Sequence, residues 1–511
     1  MKNILENQKR YYLLAVGIGS LISLGGCMVG PNYKRPNVPV PPQFKETASS
    51  VVPEDKTPAV GYSDWWRVFD DPVLDGLETQ VASANLDIRA AVARFDQAEA
   101  GTKYARSFLF PTIGAGASVS RTREAQDRPN NGNTNGLAAT YTDIPVALTL
   151  GYEVDVWGKI RRSLESARAL QQASADDLRF VKLSMEASTA IDYYSLREND
   201  AEAQVLQLTI QQLQQAVDLT TNRLKGGLAS DLDVEEARTL VDQTKAQAQA
   251  LDVQRAQLEH AIAVLVGRPA SEFSLEKSPF DGTPPSIPSG LPADVLARRP
   301  DIAEAERYLA SASAKIGVAK AAYLPQISLT GLAGFESVSP ASLFSWTNSI
   351  ASLGASAVAP LFNGGRTRAG VEQAAAAYRE SLAQYQKTVL TAYQEVEDQL
   401  AALRILQGEA QSETAAVDDS KKAEQVATNR YTRGLVSYLD VVYAQTALLA
   451  NQRVLTQISG QRMVATCVLI KAIGGGWLGV PAQVASNPNP GVPGSISNAT
   501  NQPALAKRVT K

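Results

Sequence analysis

Serine and aspartate recur three residues apart at two places that otherwise match each other, Ser230-x-x-Asp233 and Ser437-x-x-Asp440. Each pair follows a glycine break, in "KGGLASDLD" and "TRGLVSYLD". The spacing supports two chemistries. A serine hydroxyl and an acidic side chain one turn later can satisfy the free N–H groups at a helix start. A carboxylate held where several copies of a chain converge can instead form a ring that attracts cations. Little else in the chain offers reactive groups. His260 is the one histidine, and Cys27 and Cys467 are the two cysteines, so a His/Cys metal site or a Cys/His nucleophile is close to excluded. No paired-carboxylate motif stands out. Lys and Arg number 49 against 52 Asp and Glu, a net charge of −3, which argues against nucleic acid as a partner.

The elements that hold these residues are repeated. "NRLKGGLASDLDV" (222–234) matches "NRYTRGLVSYLDV" (429–441) at a constant offset of 207 (429 − 222). The offset holds from Ala237 to Ala444 and from Gly267 to Gly474. Upstream it is 214, with Asp87-Ile88 on Asp301-Ile302 and Pro111 on Pro325, so the first copy carries seven extra residues (214 − 207) between its strands. The chain is an internal duplication. Prolines cluster in 31–58, 269–300 and 481–503, and none falls between Pro145 and Pro269 or between Pro360 and Pro481. Such stretches suit very long helices. The first copy reads as helix 79–107, strands 112–120 and 141–156, and helices 159–222 and 232–265. The second reads as helix 294–321, strands 326–335 and 349–361, and helices 366–430 and 438–472. A helix of ~64 residues extends ~95 Å, far beyond a globular domain. Val234, Ala237, Val241, Thr244, Ala248 and Leu251 alternate three and four apart, the seam of a coiled coil. Arg255 and Arg462 sit on that seam in the two copies and read as bundle-spanning ion pairs.

The strands are apolar on one face only. In "IPVALTLGYEVDV" (144–156), Ile144, Val146, Leu148, Leu150, Tyr152, Val154 and Val156 alternate with small or polar residues. A strand this long can cross a hydrocarbon layer, which takes ~9–11 tilted residues. Four strands cannot close a barrel, since single-chain barrels begin at ~8. Either the strands pair with a soluble sheet, or several chains pool them in a ring. No apolar run after the N-terminal segment is long enough for a transmembrane helix.

The N-terminus carries Lys2, Lys9 and Arg10, then the apolar run "LLAVGIGSLISL" (13–24), then "LGGC". This resembles a lipoprotein signal peptide whose Cys27 is acylated and becomes the first mature residue. One lipid chain binds a membrane only marginally, so further acyl chains or a second anchor are expected.

Across nearly the whole mature chain, the sequence resembles the outer-membrane factors of tripartite efflux systems, in their lipoprotein branch. The matching stretches include "CMVGPNYKRP" (27–36), "WWRVFDDPVLDGL" (65–77), "YEVDVWGKIRR" (152–162), "LVGRP" (265–269), "ARRPDIAEAERYLASASAKIGVAKAAYLPQISLTG" (297–331), "PLFNGGRTR" (360–368) and "IKAIGGGW" (470–477). The resemblance implies a mainly α fold with a small β part: a homotrimer forming a twelve-stranded outer-membrane barrel and a twelve-helix periplasmic tunnel. It implies segments 1–26 (signal peptide), 27–78 (lipid-anchored arm), 79–267 (first repeat), 268–293 (linker), 294–474 (second repeat) and 475–511 (tail). It further implies a periplasmic adaptor and an inner-membrane RND-type transporter as partners, the outer membrane of a Gram-negative bacterium as location, and a passive duct for small toxic compounds. An enzyme activity is not implied, and no cofactor apart from the lipid on Cys27. The family's gate lies at the two glycine breaks, so the candidate gate residues are Tyr431, Asp440, Tyr443, Asp233 and Glu236. Val436 and Tyr443 depart from the family, which often has Arg and Asp there, so a less acidic aperture is expected. A protein-secretion channel of the same architecture, or a coiled-coil lipoprotein without a pore, are the alternatives.

Overall fold

The computed structural model describes residues 28–46, 64–123, 140–278, 280, 282–285, 287, 295 and 297–475. Cys27, the signal peptide, most of the loop 121–136 and the tail beyond 475 lie outside the described residues.

Helix α1 spans Pro72–Ala84 and α2 spans Leu86–Ser107. One continuous helix over 79–107 was expected; Asn85 divides it. Its backbone is extended, and its side chain accepts from the N–H groups of Asp87 and Ile88, an N-cap. The same amide donates to Leu265 O at 2.8 Å and ties the break to the far end of the repeat. Strands β1 (Thr112–Ala117) and β2 (Ser120–Arg123) follow, then β3 (Thr140–Val154). The single strand expected over 112–120 is therefore two pieces, both paired antiparallel with β3. Helix α3 (Lys159–Lys225) and α4 (Asp231–Leu265) complete the first copy.

The second copy contains α5 (Pro300–Ala321), β4 (Gln326–Ser337), β5 (Ser349–Val358), α6 (Arg366–Thr432) and α7 (Tyr438–Ala472). The duplication is reproduced residue for residue: α3 and α6 share 67 residues, α4 and α7 share 35, and their limits differ by 207 (366 − 159, 438 − 231). α2 and α5 share 22 residues at an offset of 214 (300 − 86). At 1.5 Å per residue α3 and α6 are each about 100 Å long. The helix expected over 294–321 is broken rather than late: residues 295, 297 and 298 are helical, Arg299 is extended, and α5 starts afresh at Pro300, which fits a first turn. No described helix is long and apolar enough to cross a membrane.

The strands form one antiparallel sheet in the order β1-β3-β4-β5, with β2 beside β3. Residues facing each other across a ladder share a face. Ile113 opposes Leu150 and Ala115 opposes Leu148. Val146 opposes Phe335, Tyr152 opposes Leu329, and Val154 opposes Ile327. Gly331 opposes Leu353, and Leu329 opposes Ala355. That face is apolar or small from Ile144 to Val154, while beyond Ile144 the same side carries Arg121 and Arg123 of β2 opposite Thr142 and Thr140. The other carries Thr112, Thr149, Glu153, Ser328, Thr330, Glu336, Ser352 and Ser356, with Pro145, Leu332, Ile350 and Val358 as apolar exceptions. Among the described residues no helix covers the apolar face: Ile113 is 71% exposed, Leu148 55% and Leu353 87%, and only at the loop end are Ile144 buried and Phe335 packed against Phe344. The soluble-sheet alternative required a packing partner here. β1 pairs only with β3, and β5 only with β4, so both sheet edges are open among the described residues.

The main core lies halfway along the helices, where Trp65, Leu74, Val81, Tyr194, Ile302, Val389 and Ile470 are buried together. Arg255 lies in this region and behaves as expected, pairing at 2.7 Å with Asp200 of α3, which also binds Arg197 at 3.1 Å. Arg462 does not follow it. It makes no ion pair among the described residues, and its Nε is buried without a partner. An arm, residues 28–46, runs down the outside of the bundle. Arg162, 2% exposed, clamps its start by donating to Val29 O, Gly30 O and Asn32 Oδ1. Gly30 lies so close to the Gly317 backbone that neither position admits a side chain. Lower down, Tyr33 donates to Glu306 at 2.6 Å, and the N–H groups of Lys45 and Glu46 donate to Glu397.

Leu148 and Thr149 are neighbours on opposite faces of β3. Leu148→Asp is expected to reduce the folded protein recovered from the outer-membrane fraction strongly, since a charge at mid-depth on a lipid face costs up to ~2 kcal/mol or more. Thr149→Asp, on the polar face, should assemble normally. Quantitative immunoblotting of that fraction for the two variants checks the assignment.

Candidate functional site at the helix tips

α3 and α6 end in the same turn. Gly227 and Gly434 adopt φ of +68° and +72°, a left-handed conformation open to glycine without strain. Leu228 N–H then reaches Arg223 O at 2.8 Å, and Leu435 N–H reaches Arg430 O at 2.9 Å. The chain reverses, and Ser230 and Ser437 start the return helices. Ser230 is a full cap: its Oγ accepts from Asp233 N–H at 3.3 Å and donates to Asp233 Oδ1 at 2.9 Å. Ser437 only donates to Asp440 Oδ2 at 3.1 Å and accepts no helix N–H. The serine half of the capping reading thus holds at Ser230, with Asp233 bound to its hydroxyl in place of its N–H. For Asp440 that half is missing, which leaves an exposed carboxylate.

Four of the five candidate residues fall into two groups. Tyr431 is buried and donates to Asp233 Oδ2 at 3.3 Å, joining the tips of the two copies. Burial first, and then the Asp233 charge, raise the Tyr431 phenol above its ordinary value, so it stays protonated and donates. Asp440 and Tyr443 are exposed and line a separate cleft of ≈ 570 Å³ with Lys422, Arg430 and Val436. Glu236 is half-buried on α4 and joins neither by a hydrogen bond; its charge acts on Tyr438.

Two residues of the tip were not foreseen. Arg223 lays its guanidinium 4.8 Å above the Tyr431 ring and donates to Thr432 O at 2.9 Å. Tyr438, 1% exposed, packs edge-on against Tyr431 with centroids 5.2 Å apart. Burial, followed by the charges of Tyr431, Glu236 and Asp233, pushes its phenol up to about 12, and its hydroxyl has no partner. The signal for Tyr438 lay in the repeat, whereas Arg223 has Arg430 as its counterpart and stands out in neither copy. At the offset of 207, Leu224, Asp231 and Glu236 of the first copy stand where the second has Tyr431, Tyr438 and Tyr443. Three tyrosines on one side of a duplication mark where the two tips differ. Among the described residues no group of three His, Cys, Asp or Glu could hold a metal ion.

A sheet greasy on its outer face, standing on helices of about 100 Å whose tips are latched by polar contacts, defines a membrane duct with a long soluble extension. The family model described as "Outer membrane efflux protein" matches residues 78–268 and 291–475. The chain belongs to the outer membrane efflux protein family. It is 31% identical over 469 residues to the probable efflux pump outer membrane protein TtgC of Pseudomonas putida, covering 91% of this chain and 96% of that one. It is 33% identical over 426 residues to the pyoverdine export outer membrane protein OpmQ of the same species, covering 83% and 90%. The solved outer-membrane channel OprN superposes with a TM-score of 0.82 at 29% identity, over 88% of this chain and all of that one. The Campylobacter jejuni CmeC channel gives 0.82 at 25% identity, over 88% and 95%. The protein is an outer-membrane channel component of an efflux system in a Gram-negative bacterium.

Arg223→Ala removes a cation–π contact and a charge-assisted hydrogen bond, together ~2 kcal/mol of tip cohesion. Planar-bilayer recordings are expected to show larger or longer openings, and Tyr431→Phe a smaller change in the same direction. Currents identical to wild type in both variants would remove these residues from gating.

Proposed function

We propose that three copies of this chain close into a lipid-anchored, gated duct that carries small toxic compounds out of the cell. The observation that carries the reading is the uncovered apolar sheet with two open edges. An open edge in lipid leaves backbone N–H and C=O groups unsatisfied at several kcal/mol each, so β1 of one chain must pair with β5 of the next. Such a head-to-tail contact closes a ring. Two copies would give eight strands, whose interior side chains fill. Three is the smallest number that leaves a pore, with twelve strands above twelve helices.

Acylation of Cys27 fits the course of the arm. Val29 N–H donates to Trp157 O at 3.1 Å and Met28 lies against Gly158, at the turn from β3 into α3. The described arm therefore starts, at Met28, at the level of the sheet base, which suits a lipid carried by the residue before it. The duct is passive. It uses no cofactor beyond that lipid, and its energy comes from an inner-membrane RND-type transporter through a periplasmic adaptor that meets the tips. Tyr431, Asp233 and Glu236 form the closed side of the gate, and Asp440 with Tyr443 its aqueous face. Relatives named for antibiotic efflux, toluene efflux and pyoverdine export support a small-molecule cargo over a secreted protein.

Metabolic labelling with palmitate is expected to mark the wild-type chain and not Cys27→Ser. A strain lacking the gene should become more susceptible to several unrelated drugs or solvents, and the wild-type gene should restore it. Label retained on Cys27→Ser refutes the anchor; an unchanged susceptibility profile refutes the export role.

A further inference from the structure

Between α3, α5 and α6, above the main core, lies an elongated cavity of ≈ 750 Å³. Its side of the wall follows from helix geometry. On α5, Glu306 and Gly317 meet the arm, three turns apart. Asp301, Glu304, Tyr308, Ala312 and Lys315 line the cavity and recur every three or four residues. At about 100° per residue the two sets lie on opposite sides of the helix. The arm leads to the lipid and is outside, so the cavity opens on the tunnel. The volume falls within the ~300–1,000 Å³ of small-molecule sites.

The floor is apolar, with Leu170, Phe180, Ala305 and Ala312. Glu380, Lys315 and Lys387 make no ion pair among the described residues, whereas Asp301 pairs with Arg299 and Glu304 accepts from the Tyr308 hydroxyl. The lower end is negative. Glu304 has its proton affinity raised to about 7 by burial first, then by the carboxylates of Asp177, Asp301 and Asp176. The antiparallel pair Arg299–Glu395 sets the register of α5 against α6, and it places Lys315 level with Glu380 at the upper end. Tyr308, half open to the cavity, stands one turn above Glu304.

We propose that this groove is a station in the tunnel wall for amphiphilic organic cations, held by Glu304 at the charged end and by Tyr308 and the apolar floor along the body. The inference rests on the duct reading, because only in a ring does this face border a lumen. Ring faces attract cations, and apolar burial supplies the rest of the affinity. Occupancy would concentrate cargo above the gate, and a site open to the lumen releases it again, as conduction requires.

The test is a fluorescence-polarisation titration of the purified full-length protein in detergent with ethidium, an aromatic cation, and with fluorescein, an anion of similar size. Saturable ethidium binding is expected. Glu304→Gln should weaken it roughly tenfold by removing a charge-assisted contact. Ala377→Trp, at an exposed rim position, should obstruct it. Glu372→Gln, an exposed acid outside the groove, should not affect it. Wild-type affinity should tighten from pH 6 to 8, as Glu304 ionises, and this dependence should vanish in Glu304→Gln. Equal ethidium affinity in wild type, Glu304→Gln and Ala377→Trp, or equally tight fluorescein binding, overturns the station. Single-channel conductance of Glu304→Gln is measured alongside. Wild-type currents keep the duct reading intact whatever the dye does, whereas a protein that never conducts removes that reading itself.

Discussion

Everything above the helices depends on one demand: a sheet with one greasy face and two unpaired edges must find lipid for the face and hydrogen-bond partners for the edges. A single chain supplies neither. Val146, Leu148, Leu150 and Tyr152 line up across the ladders with Phe335, Ala333, Gly331 and Leu329, so the apolar surface is continuous over neighbouring strands. Water cannot solvate that surface cheaply, at ~25 cal/mol per Å². Lipid can, and then an open edge becomes intolerable. The membrane location and the ring are thus two consequences of one pattern.

Below the membrane the duplication sets the geometry. Two copies with identical helix lengths give each chain two hairpins of equal reach, so both tips end in one plane. This chain breaks the equivalence at a few positions. Tyr431 and Tyr438 stack, with Arg223 over the first ring and Asp233 on its hydroxyl, while Arg430 and Asp440 of the other copy stay in an open cleft. The contacts are individually modest, ~0.5–2 kcal/mol each, which suits a junction that can part and re-form under the proposed gating.

The sequence disclosed periodic features well and local breaks poorly. The offsets of 207 and 214 anticipated helix limits that agree to within a few residues, because a duplicated helix is bounded by the same glycine and serine signals twice. The alternation read over 144–156 holds from Ile144 to Val154, where β3 ends two residues short of Val156. What it did not disclose were features that depend on contacts distant in sequence. Asn85 splits a helix while also bonding Leu265. The first strand divides at Ser118, whose N–H goes to Pro145 O. Arg255 and Arg462 look alike in the repeat, yet Asp200 faces only the first. At the tips, Asp233 and Asp440 share a motif but not a role, since Tyr431 reaches across to one and leaves the other to water.

The most direct test of the lipid-facing sheet is a scan of single spin labels at positions 144–154 of the assembled protein in lipid bilayers, in a Cys467→Ser background, read by collision with oxygen and with a water-soluble nickel chelate. The account predicts a strict period of two: labels at Val146, Leu148, Leu150 and Tyr152 collide with oxygen and are shielded from nickel, and those at Ala147, Thr149 and Gly151 do the reverse. Equal nickel access on both faces, or burial of the 148 label within the protein, would contradict it.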